Sequence, residues 1–454
     1  MTLLDRESTL AAARALVEAS PADETEVTLE SCLDRFVRFA DTGPTQSADR
    51  ERYEVAVRVR LVSDQGRREA RATCDGLDPA LTRGTLERAV ALARHSPPDP
   101  ELLALEGPVA VDGRRADPGT LAHPFEQKAD WVRAALAACA EHELLPAGLA
   151  QTTGLARGLV SSAGRAVYAA TSRASFALTA SVPGFVDGSG FAEQIAARVV
   201  QIDPARVIAR AVDKAVKSRA PQPIEPGEYT VVLEPPAVSS ILLFATYKGF
   251  GAQEVHEKAS FLCGRQGKKV FPEGLSLADH AGNAVYAGFP FDGEGSPKKR
   301  VALIERGVLT GPVTDSAWAA KLGLENTGHA LPKPNTHGPM ALNPVLAAGE
   351  SSLEELIGGV ERGLLVTQFH YTNLIDPKDL TLTGMTRNGT FLIEDGNVTR
   401  PVKNLRFTES LVGALGRVTG VGRDLDVAGA LFEGEVVCPA LRIDRFRFTS
   451  TTDF

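Results

Sequence analysis

The sequence contains few cysteines and arranges none of them in a motif. They are odd in number, far apart and without a CxxC pair: Cys32, Cys74, Cys139, Cys263 and Cys438. This spacing excludes a cysteine-rich zinc module and gives no reason to expect disulfide bonds. We therefore expect a protein of a reducing compartment, the cytoplasm.

The sequence also lacks long apolar runs and an excess of basic residues. No run reaches the roughly 18 apolar residues that a membrane helix needs, and the N-terminal segment MTLLDRESTL lacks the apolar core of a signal peptide. The net charge is -8, whereas a nucleic-acid surface needs a basic face that neutralises phosphates. We predict a soluble cytoplasmic protein that contacts neither membrane nor nucleic acid.

The length and one proline-rich segment predict two domains. A chain of 454 residues is too long for one ordinary core. The aperiodic segment APQPIEPGE, residues 220–228, predicts a boundary between domains 1–220 and 221–454. In residues 1–220, alternating apolar positions predict antiparallel strands, and helical periodicity such as that of 79–94 predicts helices on the sheet. We predict an α+β fold for this half.

Residues 221–454 are predicted to form a β-rich domain, either barrel-like or a sandwich. A duplicated phrase supports this, because LIERGVLTGPV at 303–313 and LIEDGNVTRPV at 392–402 agree at seven of eleven positions. Each copy predicts a β-hairpin, with a turn glycine between two short strands and a proline typical of a sheet edge. We expect one structural unit used twice, and a single closing strand over 436–448.

Five of the eight histidines lie in the second half. His256-Glu257 begins like the zinc motif HExxH, but Ser260 stands where the second histidine would be. A loop residue beside an exposed glutamate is therefore the better interpretation of His256.

Four other residues are candidates for a substrate cleft: His329, His337, His370 and Asn373. The first two bracket a proline-rich loop, and the last two lie in a polar and aromatic cluster at the end of an apolar strand. Polar groups at a strand end bind ligands when they face a cleft, but a structural hydrogen bond would explain the same residues equally well.

Residues 225–445 resemble the TldD/TldE (PmbA) family, because several phrases agree in order, spacing and turn residues. These are KASFLCGRQGKKVFPEGLSLADH (258–280), PFDGEG with RVALIERGVLTG (290–311), AAKLGLENTGHA (319–330) and GTFLIEDGNVTRPV (389–402). Members of this family are regarded as heterodimeric metallopeptidases, so the resemblance implies a peptidase complex. Before residue 220 the agreement is limited to the order of elements.

The resemblance also implies which subunit this chain is. In that family the TldD-type partner binds zinc through HExxxH on a helix and a cysteine near the C-terminus. The motif aligns here with residues 244–249, so Phe244 and Gly249 stand at the histidine positions, and the cysteine position falls at about Glu433. Catalytic zinc needs three protein ligands beside an open position for water. The chain therefore resembles the TldE/PmbA-type partner, which implies no cofactor and no catalytic residue in this chain, and zinc in the partner.

Three functions compete on this evidence. The first is a non-metal-binding subunit of a heterodimeric metallopeptidase, which shapes a chamber for unfolded or small peptides and is active only with a zinc-bearing TldD-type partner. The second is a stand-alone hydrolase or tailoring enzyme that uses the histidines of the second half. The third is a homodimeric binding protein, for which the acidic balance favours a protein partner over DNA.

Overall fold

The structure is a computed structural model that describes residues 3–184, 188–429 and 434–452. Its first half forms a six-stranded sheet in the order β3-β2-β1-β4-β5-β6, with every neighbouring pair antiparallel. The strands are β1 (Glu24–Ala40), β2 (Gly43–Ser63), β3 (Gly66–Asp75), β4 (Leu145–Ser161), β5 (Ala166–Ser181) and β6 (Ser189–Ala196). The predicted antiparallel sheet is confirmed.

The helices of this half pack on one face of the sheet. They are α1 (Arg6–Glu18), α2 (Pro79–His95), α3 (Pro118–Leu121), α4 (Phe125–Glu141) and α5 (Pro204–Lys217), with a 3₁₀ turn at Val199–Gln201. Asp78 and Asp203 cap α2 and α5 by accepting backbone N–H groups of the first turn, and proline follows each of them. Odd-numbered β1 residues such as Val27 and Val37 are buried under the helices, so even-numbered residues form the opposite face.

The second half contains a closed barrel. The strands of this half are β7 (Gly227–Leu233), β8 (Leu277–Asp279), β9 (Val301–Glu305), β10 (Val308–Leu309), β11 (Pro344–Leu346), β12 (Arg362–Asp376), β13 (Thr381–Glu394), β14 (Asn397–Pro401), β15 (Leu405–Ser410), β16 (Val418–Val421), β17 (Asp426–Gly429), β18 (Glu435–Cys438) and β19 (Leu441–Thr451). Five of them, in the order β12-β7-β19-β15-β13, close because β13 also pairs with β12. The barrel-like, β-rich second half is confirmed.

A further sheet and a central helix complete this half. The sheet has the order β10-β9-β8-β11-β18-β17. The helices are α6 (Pro235–Lys248), α7 (Ala252–His256), α8 (Ser316–Leu322), α9 (Leu353–Gly358) and α10 (Leu411–Gly416). Helix α6 contacts strands of both the barrel and this sheet and is buried along most of its length, as its almost uniformly apolar sequence requires. Across the described ranges, no helix is both long and apolar enough to cross a membrane.

Both copies of the duplicated phrase form hairpins. Arg306-Gly307 joins β9 to β10 and Asp395-Gly396 joins β13 to β14, with positive φ at both residues of each turn, as in type I′ hairpins. The return strands β10 and β14 each lie at a sheet edge, where proline is tolerated. The two hairpins belong to different sheets, so the repeated unit extends no further than the hairpin.

The prediction of a single closing strand is wrong. Residues 436–448 contain part of β18 and part of β19, and these strands lie in different sheets. Pro439 separates them, because proline has no N–H group to donate to a sheet. The domain boundary at 220/221 stays a prediction.

Candidate functional site

The face of the six-stranded sheet opposite the helices is covered at one end and uncovered at the other. At the covered end, Phe291 packs on Leu159, Val167 and Ala169, and all four side chains are buried. At the other end the side chains are mostly half-buried or exposed. We define this open face as even-numbered residues 32–38 of β1 and 46–52 of β2, with odd-numbered residues 149–155 of β4.

A row of polar side chains crosses the open face and continues to the second half. Gln151 Nε2 donates to Asp34 Oδ1 at 2.8 Å, and Arg173 Nη1 donates to Gln151 Oε1 at 3.3 Å. Arg173 Nε donates to Glu435 Oε1 on β18 at 2.7 Å. Side-chain amides both donate and accept, so such a row can pair with the backbone of an extended peptide whatever its sequence.

A network of ion pairs occupies the covered end. Arg58 pairs with Glu26 at 2.8 Å and with Glu69 at 3.5 Å. Arg60 pairs with the same Glu69 at 2.7 Å and with Glu24 at 3.2 Å, so strands β1, β2 and β3 are tied together. The two cavities beside this network measure about 30 and 70 Å³, which is room for water but not for a peptide. We assign this network a structural role.

Asp292 lies at the covered end and organises a loop. Burial and the neighbouring Glu294 carboxylate raise the pKa of Asp292 to about 7, against three backbone N–H groups that lower it. Those donors are the N–H groups of Glu294, Ser296 and Ala330, at 2.9 Å each. Since Asp292 is 2% exposed, its carboxylate fixes the loop and has no open path to a substrate.

The positions that align with HExxxH lie in the apolar core. Phe244 is 5% exposed and belongs to the core that α6 shares with the barrel. Gly249 follows the end of α6, and a Cβ atom there would lie 2.5 Å from the ring of Phe261. There is no room for an imidazole at 249, and Phe244 and Ala245 offer no ligand atom. These residues do not fit a zinc ion.

The residues at and near the position of the family cysteine do not fit a zinc ion either. Cys438 is completely buried, and its thiol donates to the Pro235 carbonyl at 3.5 Å. Burial raises the pKa of the Cys438 thiol well above its ordinary value, whereas zinc binds the thiolate. Glu433, with which the family cysteine aligns, lies outside the described residues. Among the described residues, no group of three or more His, Cys, Asp or Glu side chains is arranged to hold a metal ion.

His329 lies in a buried polar pair. Its Nε2 is 3.1 Å from Asp279 Oδ1, and its Nδ1 is 3.0 Å from Thr327 Oγ1. Burial opposes ionisation of Asp279, but hydrogen bonds from His329 and from the Asn343 backbone outweigh it and lower the pKa of Asp279. Both side chains of the pair have 0% exposure in this chain.

His337 lies on the surface near the C-terminal end of α6. Its ring centroid is 6.5 Å from that of Tyr247, the penultimate residue of α6. Nearby, His256 at the end of α7 packs on Trp318 with ring centroids 5.4 Å apart. His337 therefore lies beside an aromatic ring at the C-terminal end of α6, and His256 lies beside another at the end of α7.

His370 and Asn373 both lie on β12 of the barrel. His370 is half-buried and lies 2.8 Å from Arg387 through its Nδ1 atom. Burial, with the Arg387 charge, lowers the pKa of His370 and favours the neutral imidazole. Asn373 is exposed. Within the described part of the chain, no hydrogen bond, ion pair or ring contact joins these two residues to His329 or His337, and a cleft formed by all four stays a prediction.

The open face was not predicted from the sequence, although strand β1 carries a signal for it. The odd-numbered residues of β1 are mostly apolar, whereas the even-numbered ones include Cys32, Asp34 and Arg38. Such alternation shows that the strand has two unlike faces. It does not reveal how much of the polar face the second half covers, because that depends on contacts between residues far apart in sequence.

Comparison with known proteins places the second half in a family. Residues 226–450 match the PmbA/TldA metallopeptidase C-terminal domain. A metalloprotease of Methanothermobacter thermautotrophicus is 26% identical over 216 residues, which cover 47% of each chain. Metalloprotease PmbA of Escherichia coli O157:H7 is 29% identical over 192 residues, 42% of this chain and 40% of that protein. The match thus spans less than half the length of these curated relatives.

Solved structures resemble the whole chain. TldE from Thermococcus kodakarensis has a TM-score of 0.84 at 20% identity, over 98% of this chain and 99% of that one. A putative modulator of a DNA gyrase from Thermotoga maritima has a TM-score of 0.84 at 18% identity, over 98% of this chain and 100% of that one. At these identities the likeness shows a shared fold.

Proposed function

We propose that this chain, whose residues 226–450 match the PmbA/TldA metallopeptidase C-terminal domain, is a TldE/PmbA-type member of that family and the non-metal-binding subunit of a heterodimeric metallopeptidase. A TldD-type partner holds the zinc ion and activates the water that attacks the peptide bond. This chain supplies wall surface and substrate contacts. The observation that carries the proposal is the packing around α6, where Phe244 and the close approach of Gly249 to Phe261 take the place of metal ligands.

The open face is the surface on this chain best suited to the substrate. It combines half-buried apolar side chains such as Phe36 and Leu155 with the polar row through Gln151. Apolar and amide groups side by side suit an extended chain of mixed sequence. Enclosure of this face by the partner would admit flexible chains and exclude folded ones, so selection would be by access.

The proposal is tested by reconstitution. The purified chain, a TldD-type partner alone and the mixture of both are assayed on an unstructured peptide and on a folded protein that contains the same peptide sequence. We expect cleavage of the unstructured peptide by the mixture, loss of that cleavage with EDTA, and no cleavage by this chain alone. Zinc-dependent hydrolysis by the isolated chain would contradict the proposal, as would equal cleavage of the folded protein.

A further inference from the structure

We propose that the open face binds acidic peptide segments through three arginines, Arg38, Arg50 and Arg52. The inference rests on the proposed function, because it assigns a substrate class to the face described above. The ligand is an extended segment with aspartate or glutamate at alternate positions.

The strand register places the three guanidinium groups on one face. Arg50 lies opposite Asp34 and Arg52 opposite Cys32 across the β1–β2 pairing, and Arg38 lies opposite Gln46. All are at even-numbered positions, which the pleat directs away from the helices. All three arginines are exposed, and none of them forms a salt bridge within the described residues.

The acidic residues around this group offset its charge only in part. Asp49 and Glu51 alternate with the arginines and lie on the helix side of the sheet, where Asp49 pairs with Arg35 at 2.8 Å and Glu51 accepts from Tyr53. On the open face, Asp34 lies opposite Arg50 and accepts a hydrogen bond from Gln151, while Glu54 pairs with Arg71 at 3.2 Å. The three arginines outnumber the single Asp34 carboxylate, which leaves local positive charge on a chain of net charge -8.

The neighbouring side chains orient Arg50 and add no negative charge beside Arg52. The Arg50 guanidinium lies over the Phe36 ring at 5.3 Å, which restricts its orientation and leaves its edge free to donate. Burial raises the pKa of the Cys32 thiol, and this effect is larger than the opposite effect of Arg52. The thiol is therefore neutral and adds no negative charge that would compete with a peptide carboxylate. Arg50 and Arg52 are two residues apart on a strand, and alternate side chains of an extended peptide have the same spacing, about 7 Å.

Peptide binding by the isolated full-length chain tests this inference. Fluorescence anisotropy is measured with three labelled, unstructured peptides in which every second residue is Glu, Gln or Lys. The test variant is Arg38→Gln/Arg50→Gln/Arg52→Gln. The control variant is Arg6→Gln/Arg14→Gln/Arg83→Gln, which removes the same charge from exposed positions of the N-terminal half outside the open face. Circular dichroism and thermal unfolding check that both variants fold.

We expect the wild type to prefer the Glu peptide, and the test variant to bind it about tenfold more weakly, as for three exposed ion pairs. High salt should weaken the same binding, and the control variant should match the wild type.

Equal affinity of the wild type for all three peptides, or an equal loss in both variants, would overturn the inference. So would a test variant that loses association with a TldD-type partner yet keeps its affinity for the Glu peptide, because the arginines would then contact a subunit. Failure of reconstituted proteolysis with intact Glu-peptide binding would refute only the proposed function.

Discussion

Lys128 on α4 is a buried cation without a carboxylate within salt-bridge distance among the described residues. Its side chain is 1% exposed, and its Nζ donates to the His123 carbonyl at 3.2 Å. Burial, with the Arg35 charge, lowers the pKa of Lys128 from 10.5 to about 8. The ammonium therefore costs the folded state free energy at neutral pH, because the unfolded chain hydrates it fully.

Replacement of this lysine is expected to stabilise the protein. Lys128→Met should raise the free energy of unfolding at pH 7 by about 1–3 kcal/mol, since each unit of pKa shift corresponds to about 1.4 kcal/mol. The gain should shrink as pH rises from about 8 towards 10.5. In this range the folded wild type has already lost the Lys128 proton and no longer buries a charge, whereas the unfolded chain keeps the proton until about pH 10.5. Urea unfolding across this range measures it. Lys217→Met at an exposed position is the control, and an equal gain there would contradict the account.

His123 should make the free energy of unfolding depend on pH in the acidic range. Burial, with the Lys128 charge, lowers the pKa of His123 from 6.5 to about 4, and its Nε2 has no hydrogen-bond partner among the described residues. Between pH 6.5 and 4 the unfolded chain takes up this proton first, so stability falls as pH falls, by up to about 1.4 kcal/mol per unit. His123→Phe should flatten this part of the stability profile in urea unfolding. An unchanged slope would show that His123 titrates normally in the folded state.

Among the elements, α6 ends against a closely packed core. Gly249→Ala should destabilise the protein by about 1–3 kcal/mol, because the added Cβ overlaps Phe261 in a packed core. Gly84→Ala in α2 is the matched control, since a Cβ there meets nothing within 4 Å. That control should be neutral or stabilising by about 0.5–1 kcal/mol. Thermal unfolding of both variants measures the contrast, and equal effects would mean that the end of α6 has space for a side chain.

Local signals predicted most elements, and distant contacts account for the features that local signals could not reveal. The hairpin at Asp395-Gly396 and the capped helix α2 follow from turn and cap residues within a few positions. The tail was misjudged because the apolar alternation continues across Pro439 although the chain changes sheets there. His329 was a cleft candidate from its loop, and its partner Asp279 lies 50 positions earlier, on β8. No local pattern could reveal that pair.

Across the whole molecule, the two halves differ in sequence match and in architecture. The second half carries the sequence match to the family, and its central helix lacks metal ligands at the aligned positions. The first half contributes a sheet with an open face, which Arg173 connects to Glu435 of the second half at 2.7 Å. The sequence predicted the sheet. It could not predict the open face, which exists because β1, β2 and β4 extend beyond the part of the sheet that Phe291 covers.

The central claim is that this chain binds no catalytic zinc, and metal analysis of the isolated full-length protein tests it most directly. After equilibration with zinc and removal of loosely held ions, mass spectrometry of the metal content is compared with that of the complex with a TldD-type partner. We predict no zinc retained by the chain alone and one ion per heterodimer, contributed by the partner. One tightly held zinc per isolated chain, lost in Cys438→Ala, would contradict the account.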